Sequence, residues 1–328
     1  MNLTNKGTVE DRAYVSGDAS FVAVVGGANI DIHGKSDKTL RRKDSNPGTV
    51  HTSAGGVARN IAENLARLSV DCRLISAVGK DQHGQMLIQL CRDAGIDMQY
   101  VQEIESVPTS CYLSVLDDDG DMQVAIADMS VIDHLDAATL RSHQAMLGQS
   151  SLMVLDTNLP DDALAWLTDT FSDKTIFVDT VSTTKALRIK PYLKSIHTLK
   201  MSVIEAGALT GCEARTQAQL RRLAAQLHSE GVARVIVTRG DQGVFYSTGG
   251  DSGVQKLTRN EPDVRNAGGA GDAFLAGLAY SWLQNWPLTD SVQFALAAAD
   301  ITLSHAATSS PALSLAAVNR AVETQRAG

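Results

Sequence analysis

An α/β fold, with a mostly parallel sheet covered by helices on both sides, is predicted by two features of the sequence and sharpened by a third. Short continuous apolar runs recur along the chain, and such runs suit strands buried on both faces. Segments with apolar residues at helical spacing lie between them. Strand, helix, strand in repetition predicts parallel pairing through right-handed crossovers. The third feature is a pair of alternating strands around the acidic turn Asp117-Asp118-Asp119-Gly120, a hairpin pattern foreign to a doubly covered sheet.

Residues 1–20 are polar and aperiodic and are expected to form a loose N-terminal arm. The first strand is Phe21-Val22-Ala23-Val24-Val25, stopped by Gly26-Gly27. Further buried strands are expected at 73–78, 152–155, 175–178 and 234–237. A helix over 57–68 carries Val57, Ile61, Leu65 and Leu68 on one side. A second runs over 82–94 and ends before Gly95, and a third over 161–171 follows Pro160, a good first-turn residue. Two more are expected at 216–227 and 269–283. Two stretches break this rhythm. Residues 33–50 are polar and turn-rich and contain Asp44-Ser45-Asn46-Pro47-Gly48. Residues 110–128 read as a hairpin with strands 111–116 and 122–127. A hairpin cannot bury two faces alone, so these segments are expected to form a small β lid on a body spanning 21–328.

Composition narrows the function classes. The chain has 328 residues, 44% hydrophobic and 20% charged, enough to bury a core without staples. Acidic residues outnumber basic ones, 37 against 29, for a net charge of −8. A nucleic-acid binder relying on phosphate attraction leans the other way. The densest basic tract, Arg41-Arg42-Lys43, reads as a solvated loop. Cys72, Cys91, Cys111 and Cys212 lie far apart, which argues against a zinc site, a redox pair or a disulfide framework. No apolar run reaches the roughly 18 residues that cross a bilayer, and the N-terminus shows no hydrophobic signal core. A cytoplasmic, reduced protein with neither nucleic-acid nor membrane partners is expected.

The strongest chemical signal is Asn266-Ala267-Gly268-Gly269-Ala270-Gly271-Asp272 before a helix. Small residues let backbone N–H groups turn inward around an anion, and a helix start adds free donors and the positive end of a dipole. Asp272 stands in the first turn, where the dipole is expected to favour its ionised form, as acceptance of a hydroxyl proton requires. An ordinary capping Asp after a glycine loop would look the same. The loop is neither a dinucleotide fingerprint nor a Walker loop: Gly26-Gly27-Ala28-Asn29-Ile30-Asp31 lacks the glycine spacing, and no Lys-Ser/Thr follows the glycines. Asn29 and Asp31 alternate onto one face at a strand end and offer hydrogen bonds to sugar hydroxyls. In Ala54-Gly55-Gly56-Val57-Ala58-Arg59-Asn60, paired glycines permit close approach by a ligand, and Asn60 returns to the same face one turn in.

Their order along the chain carries a resemblance. From about residue 21 onward the chain resembles the ribokinase-like (PfkB) carbohydrate and nucleoside kinases. Residues 55–79 are similar to that family's first signature and 266–272 to its second. The resemblance implies a ribokinase-like three-layer α/β/α fold with a mostly parallel central sheet and a small β lid. It implies Asp272 as catalytic base and the amides of Gly269, Ala270 and Gly271 as anion hole. Asp31, with Asn29, Gly55, Gly56, Asn60 and Asn158, would line the sugar pocket. Thr238, Gly240 and Gly243 fall near the nucleotide phosphates, and Glu205 would orient Mg²⁺ through water. Asn266 and Gly268 are candidate potassium contacts, and 306–310 resembles the segment that helps close the potassium site and the adenine cleft.

Two positions depart from the family pattern. Ser202-Val203-Ile204-Glu205 stands where Asn-x-x-Glu is usual, and Gly268 stands where Thr or a similar residue is usual. The expected cost is nucleotide affinity, through a lost phosphate contact at Ser202 and a looser loop at Gly268. Within the family, Asp44-Ser45-Asn46-Pro47-Gly48, 163–167, Phe177-Val178-Asp179 with Val181-Ser182, and 196–200 are similar to pseudouridine kinases. That likeness implies ATP-dependent phosphorylation of the 5′-hydroxyl of pseudouridine, with Ser45 and Asn46 as candidate contacts to the base. A kinase for another sugar or nucleoside, of ribose, adenosine or fructose type, stays open at this point. So does a non-catalytic nucleoside-binding protein, whereas a nicotinamide oxidoreductase lacks its glycine fingerprint. The open-edged lid leads to the expectation of a homodimer.

Overall fold

The computed structural model describes residues 20–256, 268–305 and 307–327. Residues 1–19, which fall in the expected arm, and Asn266 lie outside that set. The chain runs β1 (Val22–Val25), β2 (Asn29–Ser36), β3 (Gly48–Gly55), α1 (Val57–Arg67), β4 (Cys72–Gly79), α2 (Gln82–Asp93), β5 (Val101–Ile104), β6 (Cys111–Leu116) and β7 (Met122–Asp128). It continues through α3 (Ala137–Arg141), α4 (Gln144–Gln149), β8 (Leu152–Asp156), α5 (Asp161–Thr170), β9 (Ile176–Asp179), α6 (Thr183–Ala186), β10 (Thr198–Ser202), α7 (Val203–Thr210) and α8 (Gln217–Ser229). Next come β11 (Arg234–Thr238), β12 (Val244–Ser247), β13 (Ser252–Gln255), α9 (Ala270–Leu283), α10 (Leu288–Leu303) and α11 (Leu315–Ala327).

Nine strands form the main sheet in the order β13-β12-β11-β10-β9-β8-β1-β4-β5. All pairs from β11 to β5 are parallel, and β12 and β13 add an antiparallel edge. The apolar runs are continuous because both faces are covered. Ala23 and Val25 of β1 enter a core with Leu164 of α5, Leu209 of α7 and Leu223 of α8. Val22 and Val24 enter a second core with Ile61 of α1, Leu87 of α2, Leu275 of α9 and Val292 of α10. Burying side chains of this size contributes about 1.5–3 kcal/mol each.

The sheet reverses its order at β1, which lies between β8 and β4. Open α/β sheets bind ligands at such a switch, beyond the carboxyl ends of the strands. Asp156, at the carboxyl end of β8, knits this corner together. Its carboxylate accepts the N–H groups of Gly27 at 2.9 Å, Ala58 at 3.0 Å and Asn158 at 2.9 Å. Gly26 has φ +154°, and a Cβ there would lie 2.4 Å from the Asp156 carboxyl carbon. A side chain at residue 26 would therefore push the carboxylate off its three donors.

The lid is a separate four-stranded sheet in the order β3-β2-β6-β7. The hairpin β6–β7 forms where the alternating pattern predicts it. Residues 33–50, expected to be turn-rich, begin and end as strand: β2 runs from Asn29 to Ser36, β3 from Gly48 to Gly55, and the two pair antiparallel. The coil between them is confined to 37–47. Register puts Asp31, Ser53, Tyr112 and Ala127 on one face, followed by His33, His51, Ser114 and Ala125. The opposite face presents Ile32, Leu113 and Ile126, then Val50, Val115 and Val124.

Candidate active site

Asp272 lies in the first turn of α9, behind the N-cap Gly269. Gly269 has φ +78°, and a Cβ there would fall 1.8 Å from the Thr308 carbonyl oxygen. Only glycine fits that turn. Gly271 serves a different neighbour: its missing Cβ leaves room for the Lys200 ammonium, which would otherwise be 2.6 Å away. The Asp272 N–H is taken by Gly269 O at 3.1 Å, whereas the Ala270 and Gly271 amides precede the first bonded turn and are the donors a helix start can offer to an anion.

The expectation that the helix start favours ionised Asp272 is overturned. The side chain is buried, with the residue 7% exposed. Burial raises its pKa first, the nearby Asp179 carboxylate raises it further, and Lys200 and Asn60 only partly offset this. The net result is a carboxyl well above the ordinary range. Asn60 Nδ2 donates to Asp272 Oδ2 at 2.7 Å. Asn60, expected on the sugar, thus holds the carboxylate itself.

A buried ion pair lies beneath the glycine turn. Lys200 Nζ on β10 donates to Asp179 Oδ2 on β9 at 2.7 Å, with both side chains at most 10% exposed. Burial opposes the Lys200 charge, but Asp179 and Asp272 outweigh it and hold the ammonium above its ordinary pKa. Neither residue stands out from apolar periodicity alone. The available signal was a Lys in Thr198-Leu199-Lys200-Met201, a strand otherwise built for burial, where an unpaired charge is untenable.

On the lid side, Asn29 Nδ2 donates to Asp31 Oδ1 at 2.6 Å, so the alternation across β2 holds. Burial raises the Asp31 pKa, against the opposing pull of Asn29, His33 and Arg59. The paired glycines also make room for protein atoms. A Cβ on Gly55 would lie 2.3 Å from Asp31 Oδ2, and one on Gly56, at φ +98°, 2.4 Å from the Gly27 carbonyl. Asn158 is 8% exposed and its Oδ1 accepts from the Lys185 ammonium. Ser45 and Asn46 are not gathered to this cluster by any hydrogen bond found among the described residues. Ser45 is exposed in the 37–47 coil, and the Asn46 amide closes that coil, accepting from Arg41 N at 2.8 Å and donating to Arg41 O at 3.0 Å.

Ser202 and Glu205 form a capping box on α7. Ser202 Oγ accepts from Glu205 N at 3.3 Å, and Glu205 Oε2 accepts from Ser202 N at 2.8 Å and Thr180 Oγ1 at 2.7 Å. Ser and Asn are comparable N-caps, so Ser202 keeps the local geometry that Asn would give. Thr238 ends β11 and its Oγ1 donates to Met201 O at 3.3 Å. Gly240 and Gly243 both have positive φ, and the turn closes through Arg239 N to Gly243 O at 2.8 Å. Gly268 is exposed beside the α9 turn. Asp156, Asp179, Thr180, Ser202 and Thr238 all end parallel strands on the same edge of the sheet or follow them directly, which gathers the site. An open groove of about 800 Å³ between α3, α5 and 191–195 contains none of these residues.

A buried carboxylate behind a glycine turn, at the carboxyl edge of a parallel sheet with a β lid, defines a phosphotransferase class. Residues 19–315 match the pfkB family carbohydrate kinase model, and the chain belongs to that family. It is 39% identical to the pseudouridine kinase of Escherichia coli (strain K12), covering 93% of this chain and 97% of that one. It is 27% identical to the guanosine-inosine kinase of Exiguobacterium acetylicum, covering 78% and 86%. Among solved structures, a carbohydrate kinase from Agrobacterium tumefaciens superposes with TM-score 0.81 at 28% identity, covering 93% of this chain and 97% of that one. Arabidopsis thaliana ribokinase complexed with ribose and ATP superposes with TM-score 0.83 at 22% identity, covering 93% and 99%, which shows the shared fold. The chain is a sugar or nucleoside kinase, a phosphotransferase with an alcohol group as acceptor. Among the described residues no helix is long and apolar enough to cross a membrane.

Proposed function

We propose that this kinase transfers the γ-phosphoryl group of ATP to the 5′-hydroxyl of pseudouridine. The observation that carries the reading is the Asp272 carboxylate, held by Asn60 in the first turn of α9 behind the Gly269 turn. Similarity to pseudouridine kinase over 93% of the chain supports the substrate.

Asp31 and Asn29 hold the ribose hydroxyls from the lid side, and Asn158 meets the nucleoside from the body. The 5′-oxygen attacks phosphorus as its proton passes to Asp272, and the bond to the ADP oxygen breaks. The amides of Ala270 and Gly271 bind the charge that spreads over the phosphoryl oxygens, with Lys200 close beneath them. Positioning and electrostatics of this kind supply most of the catalysis in phosphoryl transfer. Glu205, whose Oε2 caps α7, would hold Mg²⁺ through water with its other carboxylate oxygen. The ion, when bound, supplies positive charge to the phosphates. Binding of ATP and Mg²⁺ is further supported by a protein of this fold from E. coli whose crystal structure is a complex with both.

The outer lid face supports pairing with a second copy of this chain. Val50 is 71% exposed and Ile126 64% exposed, with Leu113 and Val124 on the same face. An uncovered apolar sheet of this kind normally marks an interface.

The test is ADP release from ATP with pseudouridine, uridine, adenosine, ribose and fructose. Turnover is expected to be fastest with pseudouridine. Faster turnover with another acceptor reassigns the substrate, and binding without ADP release from any of them overturns the kinase reading.

A further inference from the structure

We propose that Arg59 is a positioning residue for phosphoryl transfer: its guanidinium fixes the Asn60 amide in the orientation that donates to Asp272, and ties that amide to the end of lid strand β3. The inference deepens the kinase reading above and rests on it.

Arg59 lies in the first turn of α1 and is 3% exposed. Its Nε donates to Gly55 O and its Nη2 to Ala54 O, each at 3.1 Å. Its Nη1 pairs with Glu63, which Arg67 Nη2 holds from the other side at 2.6 Å. The Nη2 also reaches Asn60 Oδ1, and lies 3.3 Å from both Thr308 Oγ1 and Ser309 Oγ. A guanidinium has donors and no acceptor, so the end of the Asn60 amide facing it must be the oxygen. The Thr308 hydroxyl lies 3.2 Å from the same oxygen, but its single proton has a nearer acceptor in Ala54 O at 3.0 Å. The guanidinium therefore selects one amide orientation, and its NH₂ is turned onto Asp272 Oδ2. A flipped amide would set oxygen against carboxylate and NH₂ against guanidinium, both repulsive.

The arrangement matters because Asp272 is otherwise poorly supported as an anion. Asp179 and Asp156 face it with like charge, and Lys200 provides the opposing charge. An N–H donor stabilises the carboxylate over the carboxylic acid. The same side chain grips Ala54 and Gly55, which pair with Ile30 and Asn29 across the lid strands. Lid position and base orientation thus share one fork of hydrogen bonds. Lysine, a point charge with no planar fork, could not make all these contacts at once.

The experiment compares Arg59→Met, Asn60→Ala and the double variant, by ADP release from ATP and pseudouridine and by ¹³C NMR titration of the Asp272 carboxyl, assigned against Asp272→Asn. Arg59→Met is expected to lower kcat about 10- to 100-fold, with the nucleoside KM changed less than about threefold. The Asp272 titration should move up by roughly one pH unit, because a donor to the charged form is lost. If Arg59 acts through Asn60, the double variant should be no worse than Asn60→Ala. Additive losses, or an unmoved titration in Arg59→Met, overturn the proposal. Should Arg59→Met fail to fold, Arg59→Lys keeps the charge but loses the planar fork and should shift the titration in the same direction by less; no shift there also overturns the proposal. An inactive wild type overturns the kinase reading instead, while the titration still decides the positioning role.

Discussion

β1, β8 and β9 of the main sheet are buried along their whole lengths, whereas β7 of the lid has no buried residue at all. The body gains its stability from apolar side chains on both faces, and can therefore afford buried charges at its strand ends. Asp156 and Asp179 end their strands, Lys200 lies within β10 and Asp272 in the first turn of α9, all within a packed frame. The lid has one polar face carrying Asp31 and one apolar face that is exposed. On the proposed reading, chemistry is held by the rigid sheet, and substrate cover by the thin one.

The largest effect should come from the body. Asp272→Asn is expected to fold and bind nucleoside normally while kcat falls about 10²- to 10⁴-fold, as loss of a general base does. Steady-state ADP release beside calorimetric titration of pseudouridine checks both halves. Lys200→Met should follow, since stranding the Asp179 charge in the core costs about 3–5 kcal/mol. Urea unfolding reads that loss. Adding Asp179→Leu should restore most of the stability without restoring turnover, which separates the pair's structural role from its electrostatic one.

Gly269→Ala comes next. Its Cβ would overlap the Thr308 carbonyl, and its φ of +78° is strained for alanine, so about 1–3 kcal/mol of stability should be lost. Turnover should fall with it as the first-turn amides shift.

These body positions were largely legible in the sequence. Continuous apolar runs located β1, β4, β8, β9 and β11 to within a residue or two, because burial on both faces leaves no other composition. The glycine turn and Asp272 were legible because a helix start that binds an anion needs small residues there. The lid was half legible. Its β6–β7 hairpin has alternation and an Asp-Gly turn, whereas β2 reads Asn-Ile-Asp-Ile-His-Gly-Lys-Ser and forms a strand only because it pairs with both β3 and β6. Pairing partners distant in sequence cannot be read from local periodicity. The Lys200–Asp179 pair and the Arg59 fork were hidden for the same reason. Each charge looks unsuited to burial until the strand or helix beside it supplies its partner.

A smaller effect probes the body through pH. His197 stacks on Phe177 with ring centroids 5.7 Å apart, and burial, with help from Arg234, pushes its pKa down to about 4. The unfolded chain binds this proton first, so the contribution is complete above about pH 6.5 and is lost as pH falls toward 4. Allowing for partial solvent exposure, about 1–2 kcal/mol is at stake. His197→Phe should flatten that part of the stability curve in thermal melts between these pH values.

The smallest change in intrinsic stability is expected at the lid. Ile126→Lys should convert a dimer to monomer in sedimentation while altering unfolding of the body by no more than about 0.5 kcal/mol. A dimer that survives the substitution would remove the lid face from the interface.

The pH dependence of kcat, measured for the wild type and for Asp272→Asn, bears most directly on the claim that a buried, raised carboxyl accepts the proton. Turnover of the wild type should fall as pH drops through an apparent pKa well above the ordinary carboxylate value of about 4, and the variant's residual rate should lack that limb. A wild-type profile that stays flat down to pH 5, or a limb that persists unchanged in Asp272→Asn, would contradict it.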